Sequence, residues 1–132
     1  MGKEFDILIV DDDSDIRESL RIILEGNGYK TRSAKNGSEA LDMVKASKPD
    51  LIILDIMMTT DTEGFDLAYE LKNMQGFENL PIIMLTSFLD KVREDGPDQF
   101  QHVLGENWPA KWFFEKPVDT KRLLEKINGL LS

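Results

Sequence analysis

The sequence predicts an α/β fold in which one parallel sheet carries helices on both faces. Short aliphatic runs of strand length recur along the 132 residues, and Leu51–Leu54 reads as a strand buried on both sides. Segments with helical spacing of apolar residues follow these runs, and strand and helix alternate five times. Such alternation favours parallel strands joined by crossover helices.

The strands are predicted at aliphatic or alternating segments, and the helices between them from apolar spacing and end signals. The predicted strands are Phe5–Val10, Tyr29–Ala34, Leu51–Asp55, Pro81–Thr86 and Trp112–Glu115. The helices are predicted after Asp11–Asp13, from a cap at Ser38, from near Gly64, within Asp98–Leu104 and from a cap at Asp119.

Composition narrows the class of protein. The hydrophobic content of 41% suits a globular core, and we expect a single domain over residues 1–132. The net charge of −9 disfavours direct binding to nucleic acid or to an anionic membrane. The chain has no cysteine, no apolar run of membrane-spanning length and no signal-peptide pattern, so a cytoplasmic protein is expected.

Polar side chains stand where the predicted strands end. Asp11–Asp13 follow the first strand, Asp55 ends the third, Thr86 ends the fourth and Lys116 follows the fifth. The carboxyl ends of parallel strands form the ligand-binding edge of an open α/β sheet. Each residue alone has an ordinary explanation, such as a helix cap or a solvated lysine. Their joint placement at strand ends indicates a site.

These segments resemble the receiver domain of two-component response regulators. The resemblance rests on ILIV-Asp11-Asp12-Asp13, LIIL-Asp55-IMM, PIIML-Thr86-Ser87 and Lys116-Pro117, and it covers the chain from about Phe5 onward. It implies a five-stranded, flavodoxin-like (βα)5 sheet with strand order 2-1-3-4-5. It also implies a phosphorylation-controlled switch rather than an enzyme acting on other molecules.

The resemblance implies a role for each matched residue. Asp55 would accept a phosphoryl group from a phosphohistidine on a sensor kinase or phosphotransfer protein. Asp11, Asp12, Asp55 and the backbone carbonyl of Met57 would hold Mg²⁺. Lys116 would pair with a phosphoryl oxygen. Three carboxylates in one crevice repel each other, which independently favours a divalent cation there.

The resemblance further implies a conformational switch. Thr86 would bond a phosphoryl oxygen, and Phe113 would be the aromatic residue that moves with it. The change would reach the surface made by the family's fourth helix, fifth strand and fifth helix. That surface would control a downstream protein or an output domain missing from this chain. The protein would be a monomer or a phosphorylation-dependent dimer.

The sequence departs from the family at two places. Thr59 stands where proline is usual, and the segment Phe88–Lys111 is longer than is typical. Trp108 in that segment is either part of a partner surface or packed beneath a longer loop. His102, the single histidine, is expected to be exposed. Met57 and Phe88 are expected to flank the path of the water that hydrolyses the phosphate.

Two alternatives use the same acidic residues. A Mg²⁺-dependent phosphatase would take Asp11 as nucleophile, Asp13 as acid, and Thr86 with Lys116 as phosphate binders, but it gives Asp55 no role. An EF-hand beginning at Asp11 is excluded, because Ile16 and Ile22 occupy the positions that need glycine and glutamate.

Overall fold

Alternate residues of the central strands point to opposite faces of one sheet, and helices cover both faces. The computed structural model describes residues 4–55, 63–77, 79–86, 112–115 and 118–131. Within them, strands and helices occur in the order β1 Asp6–Val10, α1 Ser14–Gly26, β2 Lys30–Ala34, α2 Gly37–Ala46, β3 Leu51–Asp55, α3 Glu63–Lys72, β4 Ile82–Thr86, β5 Trp112–Glu115 and α4 Thr120–Leu131.

The strands are parallel and lie in the order β2-β1-β3-β4-β5. Val10 of β1 is in register with Ala34 on one side and Leu54 on the other. Asp55 is in register with Leu85, and the next residue of β4, Thr86, is in register with Glu115. Adjacent strands therefore end at the same edge of the sheet. The predicted class, a parallel α/β sheet with helices, is confirmed.

Two hydrophobic layers hold the helices to the sheet. One contains alternate strand residues such as Leu8 and Ile52 and is covered by apolar side chains of α2 and α3. The other contains Ile7 and Ile53 and is covered by α1 and α4. Because β1 and β3 are buried on both faces, they consist of continuous aliphatic runs rather than an alternating pattern.

The helix caps partly differ from the sequence prediction. Asp119 caps α4 as predicted, accepting from the backbone N–H groups of Lys121 at 3.1 Å and Arg122 at 3.3 Å. Ser38 does not cap α2, so that prediction was wrong. The helix begins two residues earlier than a Ser38 cap would allow, because the Asn36 side chain accepts from the Glu39 N–H at 2.8 Å.

Arg32 joins three elements at the opposite edge of the sheet. Its guanidinium pairs with Asp6 of β1 at 2.6 Å and donates to the carbonyls of Met43 at 3.1 Å and Ser47 at 2.8 Å. The Asp6 N–H in turn donates to the Asp50 carboxylate at 2.8 Å. These bonds fix the N-terminal ends of the strands and the C-terminal end of α2.

Several predictions concern residues outside the described part of the chain. They include the helix within 98–104, Thr59, His102 and Trp108. None of the helices in the described ranges combines the length and apolarity that crossing a bilayer requires.

Candidate functional site

Asp55 is a buried carboxylate at the end of the most apolar strand. All five residues of β3 are buried, and Asp55 keeps only 3% of its surface exposed. The four aliphatic residues before it anchor the strand in both hydrophobic layers. The strand therefore holds Asp55 rigidly at the carboxyl edge, which is the arrangement that its position in the sequence predicted.

Asp11 reaches the same edge from β1. It is 1% exposed, and its backbone N–H donates to the Ala34 carbonyl at 3.1 Å, just beyond the last register pair of β1 and β2. Its carboxylate accepts from the Asp13 N–H at 2.9 Å. Asp13 is the N-cap of α1 and accepts from the Asp15 N–H at 2.9 Å. The acidic run thus turns the chain from strand into helix.

Asp11, Asp12 and Asp55 form one cluster. One carboxylate oxygen from each lies within 4.8 Å of the others, with Asp11 and Asp55 buried and Asp12 exposed. A single cation can bridge such oxygens, since opposing ligands of Mg²⁺ are roughly 4.2 Å apart and those of Ca²⁺ about 5 Å apart. The donors are all carboxylate oxygens, which suits a hard cation rather than zinc or copper. The residues present therefore fit Mg²⁺.

Arg17 is an additional contact of this cluster that the sequence analysis did not identify. From the end of the first turn of α1, its guanidinium donates to the backbone carbonyl of Asp11 at 2.6 Å. Its backbone N–H donates to the Asp13 carbonyl at 3.1 Å. The only signal in the sequence is an arginine one turn after the cap, and such a residue is usually solvated.

The backbone also places a further predicted position, Thr86, near the cluster. Thr86 directly follows Leu85, the register partner of Asp55. Phe113 is in register with Met84, two residues before Thr86 on the neighbouring strand. Lys116, Met57 and Phe88 themselves lie outside the described residues.

Comparison with known proteins identifies relatives along almost the whole chain. Residues 7–128 match the response regulator receiver domain family. The response regulator MprA of Mycolicibacterium vanbaalenii is 37% identical over 125 residues, which are 95% of this chain and 49% of that protein. The chain therefore spans about half the length of the curated relatives it matches.

Solved structures are similar along almost the whole chain. The signal receiver domain of a signal transduction histidine kinase from Syntrophus aciditrophicus has a TM-score of 0.81 at 32% identity, covering 96% of this chain and 89% of that one. The chemotaxis response regulator CheY4 of Vibrio cholerae has a TM-score of 0.80 at 29% identity, covering 98% and 100%. With its flavodoxin-like sheet and acidic cluster, the chain belongs to the response regulator receiver domain family and is a receiver of two-component signalling.

Proposed function

We propose that Asp55 is the phosphoacceptor of this receiver and that Asp11 and Asp12 hold Mg²⁺ beside it. One observation carries the proposal: a buried carboxylate ends the central strand within reach of two more carboxylates from the neighbouring strand. Burial keeps the acceptor oxygen away from bulk water, and the carboxyl edge is where open α/β sheets bind their ligands.

The proposed reaction is phosphoryl transfer to a carboxylate. An oxygen of Asp55 attacks the phosphorus of a phosphohistidine, the P–N bond breaks and a P–O bond forms. The imidazole leaves as a neutral group once it holds a proton, and Asp55 becomes an acyl phosphate. Bound Mg²⁺ would neutralise charge on the phosphoryl oxygens. Asp11 and Asp12 would keep that cation in place, and Lys116 and Thr86 would each contact a phosphoryl oxygen.

The proposal includes a switch between two conformations. A phosphoryl group on Asp55 would draw Thr86 toward it, and Phe113 would occupy the space that Thr86 leaves. The register supports this pairing, because the two positions are diagonal neighbours on β4 and β5. The change would spread to the surface of β5 and the helices beside it. The proposed (βα)5 fold needs a fifth helix, and we expect it within residues 87–111.

The partner that supplies the phosphoryl group would dock beside α1. An apolar groove of about 340 Å³ lies between α1 and the start of α4. Its lining residues are Asp15, Ile16, Ser19, Leu20, Ile23, Val118 and Thr120. Ile22 on the same helix is 57% exposed. Because α1 starts after β1 and α4 after β5, the groove begins at the edge where Asp55 lies. A helix of a sensor kinase or phosphotransfer protein would fit it.

This docking surface can be tested separately from the acceptor chemistry. Ile22→Glu should slow transfer from a phosphorylated histidine-kinase domain and leave labelling by acetyl phosphate unchanged. Tyr69→Glu is the matched control, because Tyr69 is 40% exposed on α3, across the sheet from the groove. Equal transfer rates for the two variants would place the docking surface elsewhere.

The remaining parts of the proposal concern the whole protein. The receiver would control either a separate protein or an output domain, since the matched relatives are about twice as long. It would act in the cytoplasm, where an ATP-dependent kinase forms its phosphohistidine, as a monomer or a phosphorylation-dependent dimer. Its own chemistry would be limited to gaining and losing the phosphoryl group.

A phosphatase mechanism is disfavoured because the Asp13 carboxylate caps α1.

The proposed function is tested by labelling with acetyl phosphate in the presence of Mg²⁺. The parent protein should form an acid-stable, alkali-labile acyl phosphate, and Asp55→Asn should not. Asp50→Asn is the matched control, because Asp50 directly precedes the same strand at its other end. Normal labelling of Asp55→Asn would refute the proposal, as would loss of labelling in both variants with the fold intact.

A further inference from the structure

We infer that Arg17 is a positioning residue for the Mg²⁺-binding carboxylates, acting through the main chain of Asp11; the inference rests on the proposed function. The guanidinium donates to the Asp11 carbonyl at 2.6 Å. It contacts no metal and no phosphoryl group in this role. The bond uses the backbone carbonyl of Asp11 and not its carboxylate.

The bond acts on the peptide unit between the two aspartates. The carbonyl of Asp11 and the N–H of Asp12 lie in one rigid plane. Fixing the oxygen fixes that plane and with it the direction in which the Asp12 side chain leaves the backbone. Asp12 is exposed, so packing does little to orient it. A permanently charged, planar guanidinium is suited to this task, because its fixed geometry means that it loses little freedom when it forms the bond.

Arg17 also joins both ends of the turn. Its side chain donates to the Asp11 carbonyl, and its backbone N–H donates to the Asp13 carbonyl at 3.1 Å. The Asp13 N–H donates to the Asp11 carboxylate at 2.9 Å. Three hydrogen bonds therefore fix the short segment that contains Asp11 and Asp12: one at the Asp11 carbonyl, one at the Asp13 carbonyl and one between Asp11 and Asp13. Loss of Arg17 removes the tie that acts directly on the Asp11–Asp12 peptide.

Charge and positioning predict opposite effects on metal binding. A positive guanidinium near the cluster repels a cation, so removing it should tighten binding if charge alone mattered. Removing a positioning bond should weaken binding. Mg²⁺ demands near-ideal octahedral geometry, whereas Ca²⁺ tolerates irregular ligands. Misplaced carboxylates should therefore weaken Mg²⁺ binding more than Ca²⁺ binding, and a change in charge should affect both ions in the same direction.

The experiment measures Mg²⁺ and Ca²⁺ dissociation constants from backbone amide shifts in Arg17→Met, Arg17→Lys and Arg21→Met. Arg21→Met is the control, because Arg21 lies one turn further along α1 and pairs with Glu18 and Glu25 on the surface. It removes the same charge without touching Asp11. Arg17→Met should bind Mg²⁺ about tenfold more weakly than Arg21→Met, as loss of an outer contact of a metal site does. Its Ca²⁺ affinity should change less, and Arg17→Lys should be intermediate.

Mg²⁺ binding by Arg17→Met as tight as by Arg21→Met would overturn the inference. An equal change for both ions would overturn it too. If Arg17→Met does not fold, Arg17→Lys is compared with the parent protein instead. The inference then requires that Arg17→Lys prefers Mg²⁺ over Ca²⁺ less strongly than the parent does. Failure of the proposed function appears differently, as a parent protein that binds Mg²⁺ but does not become labelled at Asp55.

Discussion

The carboxylates of Asp11 and Asp55 come from adjacent strands and meet at one edge of the sheet, both almost fully buried. Two ionised groups at this distance repel each other, and the repulsion is strong where water is excluded. The hydrophobic layers that bury β1 and β3 hold the groups together against that repulsion. In the proposed function, this arrangement would be preorganised for a divalent cation and for a phosphoryl group bound beside it.

Removal of one proposed Mg²⁺ ligand should block phosphorylation without unfolding the protein. Asp12 is exposed, so Asp12→Ala leaves no cavity, yet it removes one of three carboxylates from the cluster. We expect Mg²⁺ binding and acetyl phosphate labelling to be lost while the circular dichroism spectrum is kept. Asp42→Ala, which removes an exposed acid from α2, should label normally. A normal labelling rate in Asp12→Ala would show that the metal assignment is wrong.

The switch should be visible at two positions of neighbouring strands. We expect the ring resonances of Phe113 and the methyl resonance of Thr86 to shift when beryllofluoride, a phosphoryl mimic, binds with Mg²⁺. The expected cause is inward movement of Thr86 and filling of the vacated space by Phe113, which gains packing but no hydrogen bond. The shifts are measured by NMR in the free protein and in the beryllofluoride-bound protein. Unchanged Phe113 ring shifts would remove that residue from the mechanism.

Phosphorylated Asp55 should be long-lived for a receiver. Met57 and Phe88 are expected to flank the path of the attacking water, and neither side chain can orient a water molecule or accept a proton. The double variant Met57→Asn, Phe88→Glu should lose its acyl phosphate faster, because polar side chains can position the in-line water. The rate is followed after removal of the phosphodonor. Equal rates in parent and variant would mean that these side chains do not shield the phosphate.

The cap of α2 gives a prediction about stability. Asn36→Ala should lower the free energy of unfolding by about 1 kcal/mol, because the Glu39 N–H loses its acceptor. Ser38→Ala, inside the helix, should change stability by much less. Urea denaturation of the two variants measures the difference. A larger loss of stability for Ser38→Ala than for Asn36→Ala would indicate that Ser38 is the N-cap after all.

The predictions from sequence succeeded where local pattern decides the structure. A strand buried on both faces must be a continuous aliphatic run, so β3 and its terminal Asp55 could be located from Leu51 to Asp55 alone. The polar residues at the ends of β1 and β4 followed from the same reasoning. Parallel strands then bring these ends together, whatever the loops do.

The predictions failed or were missing where the partner is remote or where two residues compete. Asn36 and Ser38 are both good N-caps, and only the observed start of α2 distinguishes them. Arg32 pairs with Asp6, which is 26 residues away in sequence. Arg17 binds a backbone carbonyl, and such an acceptor exists at every residue. Neither arginine is marked by a spacing pattern, so only the folded chain identifies its partner.

Asp55, rather than Asp11, should carry the phosphoryl group. Labelling with acetyl phosphate and Mg²⁺, reduction of the acyl phosphate by borohydride to homoserine, and mass spectrometry of the peptides identify the modified residue. The account predicts homoserine at position 55, with positions 11, 12 and 13 unmodified. Homoserine at position 11 would contradict it and would favour a phosphatase mechanism.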